Sequence, residues 1–267
     1  MKRFTLVLAS AVCLTSFFTA AASAQSLASR IGAVRDGVVR FSYTARPNVC
    51  GNGNSIQTGD DHTITNDDHN IRYNDSESRC PCEYGPVRVS ATVSQGNVTR
   101  IRVAVGSRYR DSDSHTTDFG QVGARDAAAY LLDLAKNSRG NAGSEAIFAI
   151  TLADSVTPWP DLLRIARSSE VRSDTRKQSV FWLGQAAGDA ATKDLADLAE
   201  DDSQDREVRE SAVFALSQLD SDQGVPALIH IARSNRDPKL RRTALFWLGQ
   251  SDDPRALDLF EEILAHN

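Results

Sequence analysis

Beyond its first two dozen residues the chain has no apolar run approaching the ~20 residues that a membrane-spanning helix needs. It has no cationic excess either. Thirty Lys and Arg stand against 35 Asp and Glu, a formal net charge of −5, and an acidic protein is a poor general binder of nucleic acid or anionic lipid. Glycine-rich phosphate loops, a Gly-x-Ser-x-Gly elbow and a His-Glu-x-x-His helix are all missing, so no cofactor, metal or catalytic centre is expected. Cysteine is scarce, at four residues, and Met occurs once.

What is present begins with a leader. Lys2 and Arg3 precede an apolar run from Phe4 to about Phe18, and Ala22-Ser23-Ala24 precedes Gln25. That grammar predicts a bacterial export signal cleaved after Ala24 and a periplasmic or secreted protein. Val12 and Ala11 before Cys13 make a poor lipobox. Cleavage removes two cations and no acid, leaving the remainder more acidic still. Cys50, Cys80 and Cys82 remain. In an oxidising compartment they predict one disulfide, from Cys50 to either Cys80 or Cys82, worth a few kcal/mol, with one thiol left over.

Composition changes along the chain. Gly, Asn, Asp, Ser and Val dominate between Gly37 and Val105, whereas Ala, Leu and charge dominate after Gly120. Leu27, Ile31 and Val34 have helical spacing and predict a short opening helix. Val39, Phe41 and Tyr43 alternate with polar residues on a strand. Val87 to Val93, the Gln95-Gly96-Asn97 turn and Thr99 to Val105 predict a hairpin that joins it in a sheet. Residues 48 to 83 read as loop, since only Ile56, Ile64 and Ile71 offer apolar bulk. A helix is expected from near Phe119, capped by Asp118 or Thr117, to cover the sheet and to act as half a repeat.

The repeat itself is set by Phe148, Phe181, Phe214 and Phe246, separated by 33, 33 and 32 residues. Phe181-Trp182-Leu183-Gly184-Gln185 returns as Phe246-Trp247-Leu248-Gly249-Gln250. Ile165-Ala166, Leu198-Ala199, Ile231-Ala232 and Ile263-Leu264 follow at the same period. Self-similarity of this length predicts a solenoid of stacked helix pairs. Asp237-Pro238 and Asp253-Pro254 are helix starts, cap followed by proline.

Val208-Arg209-Glu210-Ser211-Ala212-Val213-Phe214-Ala215-Leu216 and Leu240-Arg241-Arg242-Thr243-Ala244-Leu245-Phe246-Trp247-Leu248 resemble the Val-Arg-x-x-Ala-Ala-x-Ala-Leu signature of short bacterial HEAT-like repeats, of the sort also found in phycobilin lyases. The resemblance covers roughly Ala146 to Asn267. It implies an α-solenoid that presents a surface to a protein partner and implies no shared catalysis. Trp182 and Trp247 replace a small residue of the signature, so those layers should be opened or repacked. The expected fold is α+β: a signal at 1–24, a small antiparallel β-rich cysteine module at 25–117, and a solenoid of about four HEAT-like helix pairs at 118–267.

Three groups are candidates for function. The aromatics Phe148, Phe181, Trp182, Phe214, Phe246 and Trp247 would form a recognition ridge if they share one surface, and core if repeat stacking buries them. Arg176, Arg209 and Arg241, with Asp205 and Asp237, are either an anion-binding ladder or ion pairs between repeats. Cys50, Cys80 and Cys82, with His62 and His69, could hold a soft metal or exchange disulfides, although Cys-x-Cys spacing suits neither zinc nor redox motifs. The Asp60–Asp68 tract lacks the EF-hand ligand pattern.

Overall fold

A computed structural model describes residues 26–53, 55–58, 63–67, 70–74, 82–106, 109, 115–187 and 191–265. The leader at 1–24, Cys80, His62, His69 and much of the Asp60–Asp68 tract lie outside the described residues. Helix α1 (Leu27–Gly32) starts at Ser26, whose hydroxyl accepts the Ser29 amide at 3.2 Å, and it buries Leu27 and Ile31.

Two sheets follow. Strands β2 (Val49–Gly51), β3 (Ser55–Thr58), β4 (Thr63–Asp67), β5 (Asn70–Asn74) and β6 (Glu83–Tyr84) make one of order β5-β4-β3-β2-β6. β1 (Gly37–Tyr43), β7 (Val87–Ser94), β8 (Asn97–Val105) and β9 (Thr116–Gln121) make the other, of order β8-β7-β1-β9. The expected hairpin is β7–β8, and β1 pairs with β7 as an antiparallel neighbour.

Two expectations are corrected here. The stretch from 48 to 83, read as loop for want of apolar residues, carries five strands. Its ordering comes from backbone pairing, such as Asn66 opposite Ile71, with Val49, Cys50 and Ile56 buried at its inner end. Residues 116–121, read as the start of a helix, form β9, parallel to β1 with Arg40 opposite Asp118. The junction drawn at residues 117 and 118 therefore falls inside a strand. The free edge of β1 offers unpaired amides and carbonyls, and satisfying them outweighs local helix preference. Phe119 sits under the Arg30 guanidinium, 4.2 Å from ring centre, and its carbonyl accepts from the same side chain.

The helix that follows, α2 (Ala124–Asn137), starts only after Gly123. Helices α3 (Ala142–Thr151) and α4 (Trp159–Arg167), α5 (Ser173–Ala187) and α6 (Thr192–Glu200), α7 (Arg206–Ser217) and α8 (Ser221–Ser234), and α9 (Pro238–Leu248) and α10 (Pro254–Ala265) are the four expected pairs. The first helices α3, α5, α7 and α9 stack one on the next, and α2 packs on α3 as the half repeat. Asp237 caps α9 by accepting the Lys239 amide at 2.8 Å, with Pro238 at the first helical position. Gly224 lets α8 pass close to α7, since a Cβ there would lie 2.3 Å from the Leu216 carbonyl oxygen.

One core runs through sheet and helices. Val39, Phe41, Tyr43, Val87, Val89 and Val105 are fully buried, each worth about 1.5–3 kcal/mol for the larger side chains. Phe41 meets Tyr130 of α2 edge-on, with ring centres 6.2 Å apart. Tyr43 reaches through to donate its hydroxyl to the Ala149 carbonyl of α3, and desolvation raises its pKa far above the ordinary phenol range. Main chain joins the parts as well. Ala45 bridges Ala153, the Arg46 amide donates to Leu152 O at 2.8 Å, and the Asp154 amide donates to Thr44 O at 3.0 Å. Glu145 of α3 accepts the Ile101 amide of β8 at 2.6 Å, and burial pushes its carboxyl up from the usual range.

Candidate functional site

Each pair sets its Phe on the first helix, and the rings connect from pair to pair. Phe148 stacks on Trp182 at 4.8 Å between ring centres, and Trp182 meets Phe181 edge-on at 5.0 Å. Phe181 stacks on Phe214 at 6.3 Å, Phe214 packs on Trp247 at 5.0 Å, and Trp247 meets Phe246 edge-on at 5.0 Å. Such contacts add roughly 0.5–1.5 kcal/mol each beyond area burial. The six aromatics are thus one continuous ladder, with each Trp reaching back over the Phe of the preceding pair.

The ladder is not the uniform ridge that equal spacing suggests. Phe148 and Trp182 are core, at 1% and 4% exposure, which corrects their place in a recognition surface. Phe181, Phe214 and Trp247 are half-buried, and Phe246 is 58% exposed. Trp182 fills its layer by repacking; the small side chain of Ala215 occupies the same register one pair later, against Gly184. The Trp182 indole N–H is buried without an acceptor.

The arginines act between helices. Arg176 is buried; its Nε donates to Ala166 O at 3.0 Å and its Nη1 to Asp205 at 2.5 Å. Arg209 is also buried; its Nε donates to Ala199 O at 3.0 Å. Both carbonyls lie in the last turn of the preceding helix, where a cation also answers the helix dipole. The expected pairing with Asp237 is corrected: Arg209 pairs with Asp202 at 2.8 Å, while Asp237 takes Arg206 at 3.0 Å. Arg241 has neither carboxylate and donates to the Asn235 carbonyl at 2.8 Å. Buried guanidiniums already committed in this way bind helices together rather than a free anion.

Residues 160–238 and 192–267 match the family model of HEAT repeats. The C-terminal half of the chain is built of HEAT repeats. No curated protein sequence matches the chain. Among solved structures, the complex of CpcE and CpcF of phycocyanin lyase from Nostoc sp. PCC7120 is similar at 19% sequence identity and a TM-score of 0.39, over 52% of this chain and 89% of that one.

The last two HEAT pairs also form a polar cleft that the sequence did not announce. Ser217, Gln218 and Ser221 at the α7–α8 turn face Gln250, Ser251 and Asp253 after α9, with Trp247 in its wall. Gln218 and Gln250 recur in the same register, and that recurrence was the available signal. Cys50 and Cys82 lie far from the HEAT repeats in sequence and form a disulfide with a Cα separation of 5.5 Å. Their sulfurs are therefore unavailable as thiolate ligands, and the expected choice between Cys80 and Cys82 falls on Cys82. Among the described residues no helix is long and apolar enough to cross a membrane.

Proposed function

We propose that this chain is an exported, non-catalytic scaffold that binds a protein partner on its HEAT repeats, at the surfacing end of the aromatic ladder. One observation carries the reading: the ladder rises from core at Phe148 to 58% exposure at Phe246, beside a cleft of amides and hydroxyls. A large exposed aromatic with polar hydrogen-bonding groups around it is the composition of an interface anchor. Export is supported by the leader-like first residues and by the Cys50–Cys82 disulfide, which persists in oxidising compartments.

Absence of catalysis is supported by the local chemistry. Glu200, His230 and Ser234 come within 3.3 Å of one another's polar atoms, yet carboxylate and hydroxyl both approach His230 Nε2. A relay needs them on opposite ring nitrogens. Ser234 instead donates to the His230 carbonyl at 2.7 Å.

The test is capture from the native envelope fraction by the wild-type protein and by Phe246→Ser, with circular dichroism on both. A partner held by wild type and lost by the equally helical variant is the expected result. Equal capture by both proteins would remove the ladder's end from recognition.

A further inference from the structure

The solenoid carries a second feature that the aromatic ladder does not use. A cleft of 670 Å³ opens between the turn that follows α2 and the turn that follows α4. Its wall contains Lys136, Arg139, Arg164 and Arg172 against one acid, Glu170, with Ile165 and Val171 in its floor. In a chain with five more acids than bases this is a local inversion of sign.

The repeat register makes the inversion pointed. The position four residues before Gly143, Arg176, Arg209 and Arg241 reads Arg139, Arg172, Asp205 and Asp237 along the chain. In the later pairs this residue is the helix N-cap, and its carboxylate pairs with Arg176 or Arg206. Arg172 occupies the same place: its carbonyl accepts the Arg176 amide at 3.0 Å and opens α5. Arginine cannot cap a helix N-terminus and faces the positive end of its dipole, so this choice opposes local stability. Residues that break a local rule without a structural gain are where function is expected.

Nor are the cations consumed by neighbours. Lys136 and Arg139 are exposed and form no ion pair among the described residues. Arg172 has only Asp174, at 3.4 Å and exposed, and Arg164 pairs with Asp161.

We propose that this cleft is a docking site for an acidic, Asp- or Glu-rich segment of a partner polypeptide. Its cations converge from two turns and two helix ends around a concavity, and the apolar floor suits side-chain methylenes; a flat anionic surface would not enter it. That the ligand is a polypeptide rests on the scaffold reading above, whereas the cationic cleft does not.

The experiment is fluorescence anisotropy of a labelled oligoglutamate peptide titrated with the purified protein, with Lys136→Glu/Arg139→Glu, and with Lys193→Glu as a control. Lys193 is exposed and already paired with Asp197. Wild type and the control should bind with equal affinity that weakens with salt, and the double variant about tenfold or more weaker at unchanged helicity. No binding, or equal binding by the double variant, overturns the proposal. Binding of inorganic polyphosphate or phosphatidylglycerol vesicles but not of oligoglutamate would overturn it too, by assigning the cleft to phosphates or to a membrane. The Phe246→Ser capture is read separately, so loss of the ladder reading leaves this result standing.

Discussion

The two ends of the solenoid use one register in opposite ways. At the first pair, Phe148 is sealed between Trp182 and its own helix neighbours, and α3 is joined to the sheet through Tyr43, Glu145 and the Ala45–Ala153 bridge. At the last pair, Phe246, Leu257 and Leu264 are 58%, 61% and 78% exposed. Ile165, Leu198 and Ile231 are buried because another pair or another helix follows them, while the equivalent Ile263 is 36% exposed. A repeat period therefore fixes where a side chain points within its pair, and the neighbouring pair decides whether that direction is inside or outside.

The sharpest way to break the comparison is to truncate the same residue at both ends. Phe148→Ala should destabilise by about 3–5 kcal/mol in denaturant unfolding, and Phe246→Ala by less than about 0.5 kcal/mol. Similar losses at the two positions would mean that both ends are core. Cys50→Ser/Cys82→Ser should remove about 3 kcal/mol from the sheet region, with amide exchange in α7 to α10 unchanged. Arg176→Ala strips Ala166 O and Asp205 of a donor and should cost about 2 kcal/mol, moderated because Asp205 faces solvent; thermal melting of the variant measures it. Trp182→Phe removes a buried N–H that has no acceptor, so stability should change by under about 1 kcal/mol in either direction.

The smallest effect concerns pH at the open end. Arg255 beside Asp253 holds that carboxyl down at about 2, against an ordinary 3.8. A depressed folded-state pKa contributes stability above the unfolded value and loses it as pH falls. Fraying of α10, followed by amide exchange, should thus grow between about pH 4 and pH 2, and the Asp253→Asn variant should lack that dependence.

The helix pairs were legible because Phe148 to Phe246 repeat at 33, 33 and 32 residues, and because caps such as Asp237-Pro238 act locally. Burial along the ladder was not legible. Phe148 is covered by Trp182, 34 residues on, and by helices packed on a sheet whose presence no repeat pattern encodes. β9 escaped for a related reason: Thr116–Gln121 is a mostly exposed edge strand whose existence depends on the free edge of β1, about 75 residues earlier. The strands between 48 and 83 lack the apolar alternation by which strands are recognised. The ion pairs were legible as a charge pattern, but Arg209 taking Asp202 rather than Asp237 is settled by distances within a turn.

The main-chain joint between Thr44–Arg46 and Leu152–Asp154 has a mechanical meaning. It clamps one end of a row of helix pairs whose other end is unsupported, and the result is a cantilever. Small tilts between successive pairs accumulate away from a clamp, so displacement is least at Phe148 and greatest at α10. The exposed rings ride at the tip, sweeping the largest volume, while the cationic cleft beside α2 and α4 stays nearly still. A partner caught at the tip would bend the beam toward its root, and one seated at the root would leave the tip free to swing.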